Sequence, residues 1–453
     1  MKVNKLSQHK ALILSLLTLS FPAIIEMSLN SLVGVADTMM ISHMVGVDAL
    51  AATGFVNQII FMIIFIFSSF NAGATAVIAR SYGEKDYKKL NEAVGQNTSL
   101  NILIGAFITF LIIIFSNQLT GIFDTTLEVR RNMMLYYNII VYGTPFMFLS
   151  FSSAAALRGA GNTMTPMIVT GIVNVINIIL NYVLISGVGP FPQLGIEGAA
   201  YATVISRFIG MLLYVYFLFF NRKGIVKLRL HNMKFNKSIL KVLWRISLPG
   251  AVEQTLMQIS FTVITVIVSV LDTFSEASFR ILLQVEQLSF LPAIGFSIAA
   301  ATLTGKALGE DNKKKAYRTG YFSFAIAGIW GLVSTVAIII FGKFIVGMFT
   351  TEVPVQDRSL PVLLFVALNQ IPLCLIVTIS GALRGAGDTR KVMLFSIART
   401  WFVYVPFVYL MINHFNLGLK AVWVGESISV ALFFIIQIIY YNRGKWSDIK
   451  LSV

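Results

Sequence analysis

Twelve long apolar stretches dominate this sequence and decide its fold class. Each approaches or exceeds the length of about 20 apolar residues that a helix needs to cross a bilayer. Only 12% of the 453 residues are charged, roughly half the share usual in soluble proteins, so a water-soluble core is excluded. The sequence predicts an all-α membrane protein with twelve transmembrane helices. Their expected positions are 12–44, 50–80, 93–117, 130–157, 163–187, 197–221, 239–270, 277–307, 316–345, 358–383, 389–413 and 419–442.

The basic residues predict how these helices are oriented. Most of the 35 Lys and Arg residues lie at the two termini and in the loops that follow even-numbered spans. Two more, Arg207 and Arg399, fall inside spans, and six belong to the opposite face: Arg130, Arg131, Arg280, Lys343, Arg358 and Lys420. Basic loops stay in the cytoplasm. We therefore expect a multi-pass protein of the cell membrane, the inner membrane if the source is a bacterium, with both termini cytoplasmic.

The two halves of the chain repeat each other. The octapeptide that begins at Ala156, Ala-Leu-Arg-Gly-Ala-Gly-Asn-Thr, recurs at Ala382 with Asp in place of Asn. The offset is 226 residues, and Pro22 with Glu26 likewise recurs as Pro249 with Glu253. Each half holds six spans, so both run in the same direction, and their pseudo-twofold axis follows the membrane normal. The predicted lobes are 1–221 and 239–453, joined by a cytoplasmic loop over 222–238, and they are expected to enclose a central cleft.

Five of the twenty acidic residues lie well inside spans, where an ionisable group facing lipid is costly. They are Glu26, Asp37, Glu253, Glu286 and Glu426. For Asp37 and Glu253 a role in function is favoured over helix packing, whereas for Glu286 and Glu426 the two interpretations are equally weighted. Glu26 is expected to be hydrated near the end of its span. The arginine of each repeated octapeptide is expected to face the helix dipole and lipid phosphates.

Other functions find little support in the sequence. The phosphate-binding pattern of nucleotide-driven pumps is missing, the four histidines have no metal-ligand spacing, and the one cysteine, Cys374, lies in an apolar stretch. We expect no enzyme activity, no cofactor and no nucleic-acid partner. An ion gradient is the expected energy source.

Several of these segments resemble the multidrug and toxic compound extrusion (MATE) family, within the multidrug/oligosaccharidyl-lipid/polysaccharide exporter superfamily. The resemblance rests on the repeated octapeptide, on Val35-Ala36-Asp37-Thr38-Met39-Met40-Ile41, on Leu248-Pro249 with Glu253, on Glu286 with Gly305-x-x-x-Gly309-Glu310, and on Val422-Trp423-x-x-Glu426. It implies a monomeric, two-lobed antiporter in the lipid bilayer. Such an antiporter exports small amphipathic, often cationic organic compounds, drugs and toxins included, by alternating access in exchange for H⁺ or Na⁺.

The resemblance also implies the site residues. Asp37, Asn177, Asn181 and Thr203 match the positions that couple transport to an ion, and their hard oxygens suit a sodium ion by the logic that holds for other hard cations. Asn181 departs from the pattern, because some members carry an aspartate there. Glu253, Glu286 and Glu426 are the predicted contacts for substrate or a second carboxylate site.

Two alternatives stay open at this point. A lipid-linked oligosaccharide flippase shares the same scaffold, but it must hold a pyrophosphate with several cationic groups, and only Arg207 and Arg399 lie within spans. A membrane enzyme or channel is disfavoured by the two-lobed repeat and by the lack of a catalytic constellation.

Overall fold

The computed structural model describes residues 2–221 and 224–451, without the side chains of 2–7, 65, 66, 69 and 288. Within those ranges twelve helices are long and apolar enough to cross a membrane, which confirms the predicted fold class and number of spans. The helices are α1 (Lys2–Met44), α2 (Val47–Gly83), α3 (Tyr87–Ile114), α4 (Leu127–Gly159), α5 (Met164–Ser186), α6 (Ile196–Phe220), α7 (Lys237–Ser269), α8 (Thr273–Gly309), α9 (Lys313–Phe349), α10 (Val353–Gly385), α11 (Thr389–Asn413) and α12 (Lys420–Asn442). Arg222 and Lys223, in the predicted inter-lobe loop, lie outside the described residues.

The connection between the second and third helix of each half shows how closely the repeat is kept in three dimensions. Lys85 and Asp311, 226 positions apart, both adopt a positive φ, 57° and 52°. The next residue then caps the following helix: Asp86 accepts from the Lys89 amide at 3.0 Å, and Asn312 accepts from the Lys315 amide at 2.9 Å. The same turn is therefore built twice from different side chains.

The repeated octapeptide closes α4 and α10 with a glycine in the left-handed region, Gly161 at φ 81° and Gly387 at φ 90°. Only glycine adopts this conformation without strain. Asn162 caps α5 by accepting from the Thr165 amide at 3.0 Å. Asp388, its repeat partner, accepts hydrogen bonds from the Lys391 amide at the start of α11 and from the Tyr440 hydroxyl.

Three spans depart from regular α-helix. A 3₁₀ turn at Val141–Gly143 interrupts α4, and a π-helical turn at Tyr216–Phe220 ends α6. A longer π-helical segment, Ala398–Tyr404, lies in the middle of α11. Such segments often occur at functional sites because they change the direction in which side chains project.

The chain forms two compact units. The first-half unit is Ile25–Arg245, and the second-half unit consists of the chain up to Ile24 together with the chain from Ile246 onward. The division runs through α1, so these units differ from the predicted lobes in the placement of the first 24 residues. The physical reason is that α8 presents small residues to this part of α1: Leu16 and Leu19 cluster with Ala299, and a Cβ at Gly295 would lie 2.4 Å from Ile24 Cγ1.

A short 3₁₀ turn follows the last helix of each half and packs on the third helix of that half. In the first half, the turn Leu230–Met233 is held by Gln96, whose amide donates to the Asn232 carbonyl at 2.9 Å. In the second half, the turn Lys445–Asp448 brings Trp446 onto Tyr317 of α9 with ring centroids 4.8 Å apart. We call these two segments the closing turns.

Candidate functional site

A continuous chain of hydrogen bonds joins the four polar residues predicted to couple transport to an ion. The Asn181 amide nitrogen donates to Asp37 Oδ1 at 2.5 Å and to Asn177 Oδ1 at 3.3 Å. The Asn177 amide nitrogen in turn donates to Thr203 Oγ1 at 3.4 Å. Side chains from α1, α5 and α6, which the family resemblance groups together, therefore meet inside the first-half unit. We call these four residues the Asp37 cluster.

The helical period of α5 explains why its asparagines act together. Asn174, Asn177 and Asn181 are spaced by three and four residues and so lie along one face. All three are buried, Asn181 to 1% exposure. Asn174 donates to the Leu29 carbonyl at 2.8 Å, which fixes α5 against α1 and holds the Asp37 cluster in register.

Two further groups surround this cluster. Tyr136 on α4 is buried and lies next to Thr203 and to Asn57 of α2. The charge of Arg207 on α6 is close enough to Asp37 to attract it, yet its Nη1 atom is buried without a hydrogen-bond partner. Sequence reasoning placed Arg207 inside a span but missed Tyr136 and Asn57, because a single tyrosine or asparagine in an apolar stretch has no distinctive spacing.

The oxygen atoms of the Asp37 cluster decide what it can hold. In the orientation described, Asp37 and Asn177 accept hydrogen bonds from the Asn181 amide, while Asn181 Oδ1 is buried and has no partner. A hard cation needs several oxygens facing it, so the donor set fits sodium once the Asn181 amide turns over and directs Oδ1 inward. Among the described residues, no group of three or more His, Cys, Asp or Glu could hold a metal ion.

Glu253 and Glu26 are both engaged in buried ion pairs. Glu253 Oε1 accepts from Arg384 Nη2 at 2.8 Å and from Ser396 Oγ at 2.6 Å, and Glu26 Oε1 accepts from Arg158 Nη2. Glu26 is only 3% exposed, so the expectation that it is hydrated is wrong. The arginines of both octapeptides meet a carboxylate within the protein instead of lipid phosphate, because a buried acid needs a cationic partner.

These ion pairs are equivalent in the repeat. Glu26 and Glu253 are related by an offset of 227, and Arg158 and Arg384 by 226. Each pair joins the first helix of its half to the end of the fourth. That Glu253 contacts substrate stays a prediction. Its ion pair with Arg384, and the equivalent ion pair of Glu26 in the first half, argue that both glutamates stabilise the fold.

The remaining two predicted acids meet in the second-half unit. Glu286 on α8 and Glu426 on α12 lie close enough for each to influence the other. Trp423 Nε1 donates to Glu286 Oε2 at 3.1 Å, and Asn369 Nδ2 donates to Glu426 Oε2 at 3.3 Å. We call Glu286 and Glu426 the carboxyl pair. In the part of the chain that the structure describes, no direct hydrogen bond links this pair to Glu253.

Comparisons with known proteins agree with this architecture. The MatE family model matches residues 22–183 and 249–410, one match in each half. The "Probable multidrug resistance protein NorM" of Thermotoga maritima is 29% identical over 95% of this chain and 92% of its own length. The "Probable multidrug resistance protein YoeA" of Bacillus subtilis is 27% identical over 97% and 95%. A crystal structure of MATE in the bent conformation superposes with a TM-score of 0.89 at 24% identity, over 96% of each chain.

The family match in both halves and the relatives that match nearly the whole chain identify it as a membrane transporter and not an enzyme. The chain belongs to the MatE family, whose model covers well over half of it.

Proposed function

We propose that this protein is a secondary active antiporter that exports amphipathic, cationic organic compounds in exchange for H⁺ or Na⁺ by alternating access. Two relatives that match nearly the whole chain carry the name multidrug resistance protein, which supports drugs and toxins as the class of substrate. The observation that carries the proposal is the Asp37 cluster, an acid with a polar hydrogen-bonded shell inside a span.

Asp37 suits ion coupling because its carboxyl group can exist in two states. Within the described residues no Lys or Arg forms a salt bridge with Asp37, in contrast to Glu26 and Glu253. Arg207 acts on Asp37 through its charge without a direct ion pair. Ionised, Asp37 can attract a cation, and protonated, it becomes neutral and releases that cation. Its location inside a membrane span makes the difference between these two states energetically large.

The hydrogen bonds around Asp37 disfavour bound sodium, which leaves the proton as the coupling ion that we propose. The Asn181 amide directs its NH₂ group, not its oxygen, toward the carboxylate, which is the polarity that stabilises an anion and not a bound cation. Protonation of Asp37 requires no rearrangement of its neighbours beyond weakening this one bond. Sodium binding requires the Asn181 amide to rotate, and the cluster offers only one full negative charge, that of Asp37, to balance the ion.

Dye efflux from inverted membrane vesicles tests the proposal. Vesicles containing the wild-type protein, Asp37→Asn or Asp48→Asn would be energised with a proton gradient or a sodium gradient alone. Asp48 is an exposed acid in the first turn of α2, so its variant is the matched control for loss of one negative charge. We expect Asp37→Asn to abolish ion-driven export, while Asp48→Asn keeps it.

The protein level in the membrane and its thermal unfolding should be measured in the same preparations, so that loss of transport is separated from loss of fold. Wild-type efflux by Asp37→Asn would refute the role of this carboxylate. A wild-type response to the sodium gradient with none to the proton gradient would keep antiport and reverse the choice of ion.

A further inference from the structure

A cavity of about 200 Å³ lies in the first-half unit, at the end that the basic loops predict to be cytoplasmic. Its walls come from the end of α4, the start of α5, the last turn of α6 and the loop that leads to α7. They include Leu157, Ala160, Asn162, Thr165, Phe217 and Val226. Each of the nine described residues that line the cavity is uncharged, so the wall offers no counter-charge to an ion.

The polar groups of the wall are already hydrogen-bonded to one another. The Asn162 amide nitrogen donates to Thr165 Oγ1 at 2.8 Å, and Asn162 Oδ1 accepts from the Thr165 amide at 3.0 Å. The Asn221 carbonyl accepts from the Gly224 amide at 3.1 Å. Filling the cavity with water would take about six or seven molecules at about 30 Å³ each, every one with several polar partners. An apolar occupant therefore suits this wall better than water.

The end of α6 brings lipid next to the cavity. It is the π-helical turn Tyr216–Phe220, in which each hydrogen bond spans one residue more than in an α-helix, and such turns are frequent at functional sites. Phe217 of this turn lines the cavity, whereas Phe220 is 67% exposed. Met164 at the start of α5 is also exposed. Exposed apolar side chains at the end of a span contact the acyl chains of the bilayer, which are as apolar as they are.

The second half joins the equivalent walls with its own side chains. The offset of 223 that relates the starts of α6 and α12 pairs Phe217 with Tyr440. The Tyr440 hydroxyl donates to Asp388, the repeat partner of Asn162. Leu451 is buried against the octapeptide as well, since a Cβ at Gly387 would lie 2.8 Å from Leu451 Cδ2. Phe217 has no hydroxyl that could make the same bridge.

We propose that this cavity binds the upper part of an acyl chain of a phospholipid from the adjacent leaflet, and that the second-half unit has no equivalent site. The ester and head group stay outside, at the level of the helix ends. A void deprives the atoms that line it of dispersion contacts, and the methylene groups of the chain supply them. Bound lipid then completes the packing of the first-half unit, whereas Tyr440 and Leu451 do so in the second. Lipid binding here does not depend on the coupling ion or on the exported substrate.

Photocrosslinking of the purified full-length protein in lipid nanodiscs tests the site. The nanodiscs would contain a phosphatidylethanolamine with a diazirine near the ester end of one acyl chain, and the labelled residues would be mapped by mass spectrometry. We expect Phe217 and Val226 to be labelled several times more than their equivalents Tyr440 and Ile449. Val226 is buried and Ile449 is more exposed, so contact with bulk lipid alone would not produce this order.

Filling the cavity should remove the labelling. Ala160→Leu and Val226→Phe each add side-chain volume at the wall, and each should lower the labelling of Phe217 several-fold. Ile329→Phe is the matched control, because Ile329 is an exposed residue of α9 and a comparable enlargement there leaves the cavity free. This variant should be labelled at Phe217 as the wild type is.

Thermal unfolding in detergent gives a second readout. Added phospholipid should raise the Tm of the wild type, because a ligand that binds the folded state stabilises it. Part of this increase should be missing in Ala160→Leu and Val226→Phe, since the added side chains occupy the place of the acyl chain. Ile329→Phe should keep the whole increase.

Three results would overturn the proposal. Phe217 and Val226 could be labelled no more than Tyr440 and Ile449, which would show ordinary contact with bulk lipid. The labelling could stay unchanged in both filling variants, or lipid could raise their Tm as much as that of the wild type. A variant without a cooperative unfolding transition in the absence of lipid is not folded, and the wild-type labelling map then decides alone.

Discussion

The two halves of this protein share a framework and differ in their polar interiors. Both keep the turn after the second helix, the glycine turn after the fourth, and an ion pair between the first and fourth helices. In the first half the interior carries one carboxylate, Asp37, with amides, a hydroxyl and the charge of Arg207 around it. In the second half it carries two carboxyl groups beside an arginine.

This difference separates the residues that build the fold from those that give each half its own chemistry. Residues kept at the same offset in both halves serve turns, caps and buried pairing, which any copy of the six-helix unit needs. Asp37, Glu286 and Glu426 have no acidic counterpart in the other half. The duplicated protein therefore has two chemically distinct polar centres in equivalent scaffolds.

Cysteine labelling tests most directly whether the two halves have the same orientation in the membrane, because each site is labelled from one side or from the other. Lys88 and Lys314 are exposed residues at repeat-equivalent positions. With Cys374 first replaced by alanine, Lys88→Cys and Lys314→Cys should both react with an impermeant maleimide only from the cytoplasmic side, as the basic loops predict. Arg131→Cys, on the opposite face, should react only from outside. Labelling of Lys88→Cys and Lys314→Cys from different sides would contradict the parallel orientation of the halves.

Removing one partner of either framework ion pair should give the next largest effect. We expect Glu26→Gln and Glu253→Gln each to lower the free energy of unfolding by about 3–5 kcal/mol, because a buried arginine is left without its counter-charge. Thermal unfolding in detergent measures this. Glu84→Gln is the control, since Glu84 lies in an exposed turn and pairs with Lys89. A much smaller loss for one pair than for the other would show that only one of them is structural.

Asn181→Asp should change the ion preference of the first half. It adds a second carboxylate beside Asp37, and sodium affinity should rise about tenfold because the charge of the oxygen ligands increases. Sodium binding measured by calorimetry at fixed pH reports the change. Asp37→Asn combined with Asn181→Asp restores a single carboxylate and should return the affinity toward the wild-type value. No response of sodium binding to Asn181→Asp would argue that the Asp37 cluster handles protons only.

The smallest effect should come from the pair of positions that cap the fifth and eleventh helices, Asn162 and Asp388. Burial raises the pKa of Asp388 above its ordinary value, so folding disfavours the charged form of this carboxyl group. Stability from this group is present below the ordinary aspartate pKa and is lost as pH rises through the raised one. Asp388→Asn should therefore raise Tm at neutral pH by about 2 °C or less and weaken its pH dependence. If the pH dependence of Tm is the same in Asp388→Asn as in the wild type, Asp388 does not cause that dependence.

Much of the architecture could be predicted from the sequence, because hydrophobic stretches and an internal repeat report on it directly. The number of spans and the fold class follow from helix length and composition. The meeting of Asp37, Asn177, Asn181 and Thr203 followed from the family resemblance and the spacing of α5. The π-helical segment in α11 could not be foreseen, since its residues, Arg399 among them, have no spacing that distinguishes a π-helical turn from a regular helix.

The sequence patterns did not reveal which distant side chains pair with each other. Glu26 and Arg158 are 132 residues apart, and helix periodicity relates only residues within a few turns of each other. One signal was available: the glutamate and the arginine recur together with nearly the same offset, which is what a conserved contact within each half would produce. Glu286 and Glu426 carry no such signal, because the other half has no equivalent acids.

The closing turns bear on the order in which the protein is assembled during synthesis. The turn Leu230–Met233 lies so close to α3 that a Cβ at Gly95 would be 2.3 Å from the Asn232 carbonyl oxygen. The first-half unit can therefore form its internal contacts as soon as residues up to Arg245 have been synthesised, before α8 to α12 exist. The opposite holds for Leu16, Leu19 and Ile24 of α1, whose partners Ala299 and Gly295 lie on α8. These side chains are synthesised before α8 and find their final neighbours only once the second half has been made.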